Sequence, residues 1–237
     1  MLAPPIAFVV FASLCFVVNA WAGRPLSNDD ASTAGTGTCQ VESWVERVAR
    51  RHAVVVAPAC GVAKDMELDV DYTLPEQRDV QLAASGVAFK WVPQSWRADT
   101  SIGELNFGLK LSAIFEHPAG ANWRGTETSL LGLATLKLSD TWAAHANLGR
   151  AREHASGKAV TLLNLSLVWT PSAPGLLFAE TRTNNRHAVF GGTVNSVGGR
   201  WWLINDRLGL DLSASREADS TRPTLWSVGF GWYELSF

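Results

Sequence analysis

The chain has 237 residues, 47% of them hydrophobic, and its 20 Lys and Arg against 22 Asp and Glu give a formal net charge of −2. With basic residues scattered rather than clustered, that balance excludes an electrostatic case for nucleic acid as a partner. Eleven Trp and ten Phe against two Tyr suit a chain that turns much apolar surface towards lipid, and the length allows one large β domain or two small ones, of which the lack of an internal linker favours one.

Residues 1–22 hold an apolar run from Ile6 to Val18, followed by Asn19, Ala20, Trp21 and Ala22. The run is about thirteen residues, short of the roughly 20 that a membrane-crossing helix needs. Ala20 and Ala22 fit the small-x-small rule of signal peptidase, so a signal peptide cleaved after Ala22 is expected. Residues 23–37, rich in Ser, Thr, Gly, Asn and Asp, read as a flexible, disordered periplasmic lead-in with no room for a plug domain. The β domain is expected over 38–237.

Cys39 and Cys60 frame a hairpin. If paired residues sum to 99, Val41 faces Pro58, Ser43 faces Val56 and Val45 faces Val54, with the turn near Ala49 and Arg50. The two thiols then stand opposite each other, and in an oxidising compartment they predict a disulfide worth about 2–4 kcal/mol. No His or further Cys lies at ligand spacing, so neither a metal nor another cofactor is expected.

Beyond the hairpin the hydrophobic period is two, the strand signal. From Ile102 to Glu116, Leu105, Phe107, Leu109 and Leu111 take one face while Glu104, Asn106, Lys110 and Ser112 take the other. Glu67, Asp69, Asp71 and Thr73 alternate in the same way with Leu68, Val70, Tyr72 and Leu74. Reading the breaks predicts strands at 39–48, 52–60, 64–74, 80–92, 102–116, 126–138, 141–151, 158–170, 176–183, 188–204, 207–216 and 224–237. Twelve is an even number; ten strands would remain if two neighbours were misread. Tight turns such as Ser139-Asp140 and Asn205-Asp206, with Pro93–Ser101 the exception, alternate with longer polar connections such as His117–Gly125 and Glu217–Pro223. Short turns on one side and long loops on the other are what a bacterial up-and-down transmembrane barrel requires. The expected fold is therefore all-β, a single antiparallel barrel; a secreted β-sandwich is the soluble alternative.

Alternation places Glu67, Asp69, Asp71, Glu104, Lys110, Glu116, Lys137, His145, Glu180, Arg182, Arg200, Arg207 and Asp211 inside. These charges of both signs either neutralise one another in a closed barrel or line a narrow pore for small polar or zwitterionic solutes. Twelve strands lie between barrels of about eight, which fill with side chains, and those of 16 or more, which leave wide channels. An outer-membrane lipid hydrolase is the competing class. His145 and Ser166 have the residue types of a base and a nucleophile, but both face inward and no third member is set by spacing. Trp91, Trp142, Trp169 and the pair Trp201-Trp202, near strand ends, fit an interfacial aromatic belt. Gly191-Gly192 and Gly198-Gly199 mark a bend or a place where missing side chains make room inside.

The last strand, Thr224–Phe237, ends on Phe, with Tyr233 and Leu235 at the alternate positions before it. Together with Ala20-Trp21-Ala22 and the alternating strands, that ending resembles the Gram-negative outer-membrane β-barrels, over nearly all of the mature length. The resemblance implies an outer-membrane address, lipid around the wall, and a terminal signal read by the barrel-assembly machinery. More loosely, the Cys39–Cys60 hairpin followed by about twelve strands is similar to transporters of the phenol-degradation MetA-pathway type, which implies passage of small organic molecules. An adhesive or purely structural barrel is the remaining alternative.

Overall fold

In the computed structural model, residues 26–75, 82–118, 122–172, 174–187, 191–218 and 221–237 are described. The expected signal peptide, residues 1–22, lies outside them.

The strands are β1 (Thr38–Val48), β2 (Arg51–Ala63), β3 (Met66–Pro75), β4 (Leu82–Trp91), β5 (Ala98–Thr100), β6 (Gly103–Pro118) and β7 (Arg124–Lys137). They continue as β8 (Trp142–Glu153), β9 (Ala159–Ser172), β10 (Gly175–Asn184), β11 (Val194–Ile204), β12 (Leu208–Glu217) and β13 (Leu225–Ser236). Every pairing among them is antiparallel. The short β5 hangs on one end of β6, while β4 pairs directly with β6 and β1 with β13, so twelve strands close on themselves and leave no free edge. Closure satisfies each strand's backbone on both sides.

The Cys39–Cys60 hairpin has the register that a sum of 99 demands, with Cys39 facing Cys60 and Val45 facing Val54. The two cysteines form a disulfide. Ala49, in the two-residue turn, takes the left-handed conformation at φ 55°. Both ends of the barrel chain, Thr38 and Ser236, meet at one rim, which also carries the tight turns after β2, β7, β9 and β11. We call this the turn end and the opposite rim the loop end.

The wall's two faces divide as the period of two requires. Leu68, Val70, Tyr72, Leu109, Leu111, Leu165, Leu167, Leu212, Val228, Phe230 and Trp232 stand exposed on the outside. Buried inside are Glu67, Lys90, His145, Asn147, Ser166, Glu180, Arg200, Asp211 and Ser213. The molecule is thus inverted, apolar without and polar within.

Within the wall and at its foot, the structure departs from the sequence reading at the start of β11 and in the lead-in, and it selects the making of room as the role of Gly198-Gly199. β11 begins at Val194, after a break in which Gly191 has φ 81° and Gly192 gives its N–H to the Glu217 carboxylate; the start expected at 188–190 lies outside the described residues. Gly198 and Gly199 keep an unbroken register with β10, and their role is space: a Cβ on Gly198 would strike the Phe178 ring. Most consequentially, the stretch expected to be a disordered lead-in is not outside the barrel. Leu26, Asn28, Asp30, Ala31 and Ala34 are buried within it.

Candidate functional site

Residues 26–37 form a strap that enters the lumen at the turn end. Its foot lies against β2, where Thr36 makes a parallel bridge with Gly61 and Gly37 donates its N–H to the Gly61 carbonyl at 2.9 Å. From there the strap crosses to the far wall on polar contacts. The backbone N–H of Ala34 donates to the Glu67 carboxylate, that of Ala31 to Thr135 Oγ1, that of Asp29 to Asn147 Oδ1, and those of Ser27 and Asn28 to Glu180 Oε2. Asn147 Nδ2 returns a bond to the Asp29 carbonyl at 2.8 Å, and Asn28 Nδ2 donates to Ser166 Oγ at 3.0 Å. An extended segment has no ladder of its own, so its buried N–H groups must find side-chain acceptors. The lumen supplies them.

Two apolar contacts complete the seat. Ala31 packs on Leu131 and Leu133, and Leu26 on Val168, Leu176 and Phe178. These inward-facing apolar residues are buried under the strap.

The strap's two carboxylates meet two lysines. Lys110 Nζ lies 2.8 Å from Asp29 Oδ1 and 3.2 Å from Asp69 Oδ2. Lys90 Nζ lies 3.4 Å from Asp30, 3.6 Å from Glu67 and 3.8 Å from Asp29. Lys90 is 4% exposed and Asp30 1%.

A second cluster fills the lumen across the β1–β13 seam. Arg200 Nε and Nη2 hold both Asp211 oxygens, at 2.7 and 2.8 Å, in a bidentate pair. The same guanidinium lies 4.7 Å above the Tyr233 ring and 4.9 Å from that of Trp202, and 3.7 Å from Glu42, which accepts the Tyr233 hydroxyl hydrogen. Gly209 makes this possible, since a Cβ there would meet the Arg200 side chain at 2.7 Å.

Between strap and seam cluster lies a cavity of about 400 Å³, bounded by β1–β3. Six carboxylates line it, Asp29, Glu42, Glu46, Glu67, Asp69 and Asp71, against the two ammonium groups of Lys90 and Lys110. Trp44 adds an aromatic wall, its indole N–H bonded to Glu46.

Eight of the thirteen residues placed inside by alternation fall into three groups. Glu67, Asp69, Asp71 and Lys110 border the cavity, while His145 and Glu180 hold the strap and Arg200 and Asp211 hold the seam. Arg182 shares the inward face of β10 with Phe178 and Glu180. Glu104 with Arg97, Lys137 with Asp140, and Glu116 with Arg124 pair towards the rims. Arg207 is not in the lumen: its side chain is 63% exposed in the turn after β11, 3.4 Å from Glu234. In that turn burial, and secondarily Glu234, raises the Asp206 carboxyl above its ordinary value.

The expected apolar face of Tyr233, Leu235 and Phe237 is also broken. Tyr233 points inward at 2% exposure, and the outer aromatic row is Trp226, Phe230 and Trp232. Glu234, at φ 56°, interrupts the alternation before the exposed Phe237. Trp201 lies outside and Trp202 inside, while Trp142 and Trp169 stack on the outer wall at 5.7 Å. Missed by sequence reasoning were Asn28, Asp29, Asp30, Glu42, Glu46, Lys90 and Asn147. Lys90 was findable, because it alternates with Val87 and Phe89.

Comparison with family models and with curated proteins finds no match. Solved structures do match. The KdgM porin superimposes with a TM-score of 0.59 at 10% identity, covering 81% of this chain and 98% of that one. KdgM porin in complex with disordered oligogalacturonate gives 0.59 at 9% identity, with the same coverage. The CymD monoaromatic hydrocarbon channel gives 0.48 at 8% identity, over 84% of this chain and 89% of that one. The fold is a closed antiparallel β-barrel similar to that of the KdgM porin.

Proposed function

We propose that this protein is an outer-membrane barrel forming a narrow channel for small polar or organic solutes. The leader is removed near Ala22, the turn end faces the periplasm and the longer loops face outwards. Membrane lipid then covers the apolar outer wall, and the barrel-assembly machinery inserts the chain. One observation carries the reading: an inverted barrel holding a polar cavity of about 400 Å³ lined by opposed carboxylates and lysines. That KdgM porin has been solved with an oligogalacturonate supports a polar solute. Passage of aromatic molecules, as in MetA-pathway transporters, rests on the looser sequence resemblance alone.

Single-channel conductance of the refolded mature chain in a planar bilayer tests this. Discrete steps are expected, with ion selectivity that shifts in Lys110→Ala and stays nearly constant in Arg207→Ala, whose side chain sits on the rim. Silence from a protein that is folded and inserted overturns the channel reading.

A further inference from the structure

The wall of the barrel does not need the strap. Each of the twelve strands is paired on both sides by another strand, and the strap contributes one isolated bridge, Thr36 to Gly61. Yet seven strands, β3, β4 and β6 to β10, turn a side chain or a backbone carbonyl towards it. Those contacts are polar groups facing a lumen, the kind that water or a solute replaces bond for bond. The segment is unnecessary to the wall and, apart from the apolar contacts of Leu26 and Ala31, is held by contacts of that exchangeable kind.

The lysines say what could take its place. Lys90 and Lys110 are direct partners across β4 and β6. Like charges so placed repel, and Asp29 reaches both of them while Asp30 reaches Lys90. The strap therefore brings its own carboxylates to a paired cationic seat. Its foot is suited to swinging: Gly37 has φ 77°, and Gly61 lets the strap approach so closely that a Cβ there would lie 2.3 Å from the Ala34 and Gly35 carbonyl oxygens. The Cys39–Cys60 disulfide pins β1 to β2 just beyond that foot, so the pivot stays fixed while the strap moves.

We infer that residues 26–34 are a resident plug whose Asp29 and Asp30 occupy, on Lys90 and Lys110, the seat of a carboxylate-bearing solute. The inference rests on the channel reading and adds to it a gate and an anionic ligand class. With the plug in place, ions pass only through the cavity beside β1–β3. With the plug displaced, the lumen widens and the lysine pair becomes accessible.

Three forms of the full mature chain test this in planar bilayers: native, Asp29→Asn with Asp30→Asn, and that pair combined with Asn28→Cys and Ser166→Cys. The cysteines replace groups 3.0 Å apart and can lock the strap to β9. The double-asparagine form is expected to conduct severalfold more than native, and succinate is expected to block its current unless Lys110→Met is added. Oxidation of the cysteine form should return conductance to the native level and reduction should restore the larger one, with the reduced native chain as control. A conducting native chain with an unchanged double-asparagine form overturns the plug alone. A larger current that succinate does not touch overturns the carboxylate seat. Silence in every form, with insertion verified, overturns the channel reading and the plug together.

Discussion

Lys90 and Lys110 stand side by side on the inner wall, and four carboxylates, Glu67, Asp69, Asp29 and Asp30, surround the pair within 2.8–3.8 Å. Their burial differs, Lys90 having a side chain 5% exposed and Lys110 one 17% exposed. Removing one partner of a buried ionic group costs about 3–5 kcal/mol, because the opposite charge is left uncompensated, and less where water reaches the site. Lys90→Met should therefore destabilise the barrel more than Lys110→Met. Urea midpoints of the two variants in lipid measure the order; equal midpoints would show that the strap carboxylates find other partners.

Arg200 makes a second stability prediction. Arg200→Met leaves Asp211 and Glu42 buried beside Tyr233 with no guanidinium between them, a loss of about 3–5 kcal/mol by the same logic. Arg200→Met combined with Asp211→Leu should recover much of that loss, since replacing both members of a buried pair by apolar groups is often neutral. The check is a double-mutant cycle on unfolding midpoints. Purely additive losses would mean that the pair does not act as a unit.

The contrast between these two clusters shows what the sequence makes legible. The hairpin register followed from arithmetic on Cys39 and Cys60, and the strand alternation found Glu67, Asp69, Lys110, Arg200 and Asp211, because pleating alone decides which face a residue takes. The strap was invisible for the opposite reason. Its residues have no period, and its partners lie far along the chain: Ser27 is 153 positions from Glu180, and Lys110 is 81 from Asp29. A polar, unpatterned segment looks disordered unless the polar cavity that receives it is known. Arg207 and Tyr233 were misplaced by local breaks in the pleat, the turn after β11 and the left-handed Glu234. Counting by twos fails past such a residue.

The Cys39–Cys60 disulfide closes a sequence separation of 21 residues on the first hairpin, beside the seam where β1 meets β13. Its chain-entropy contribution is about 2–4 kcal/mol. Reduction should lower the unfolding midpoint without opening the closed sheet, whose pairings do not depend on it. Thermal unfolding with and without reductant tests the first part, and unchanged far-UV circular dichroism at room temperature the second. Loss of β signal on reduction alone would assign the disulfide a part in holding the seam.

Ion selectivity follows from the cavity's charge balance. Six carboxylates against two ammonium groups make the space beside β1–β3 net negative even after each lysine is paired. Asp71 sits over Gly86, with no ion pair among the described residues, so its charge acts directly on passing ions. In a narrow path of low dielectric such a charge is poorly screened. The native channel should prefer potassium over chloride in a salt gradient, and Asp71→Asn should reduce the preference without closing the channel. Asp29→Asn with Asp30→Asn should reduce it further, because two carboxylates leave the lumen while both lysines stay. Reversal potentials across this series measure the effect. A native channel that prefers chloride would place the conducting path away from the carboxylate wall, on the side now filled by the strap.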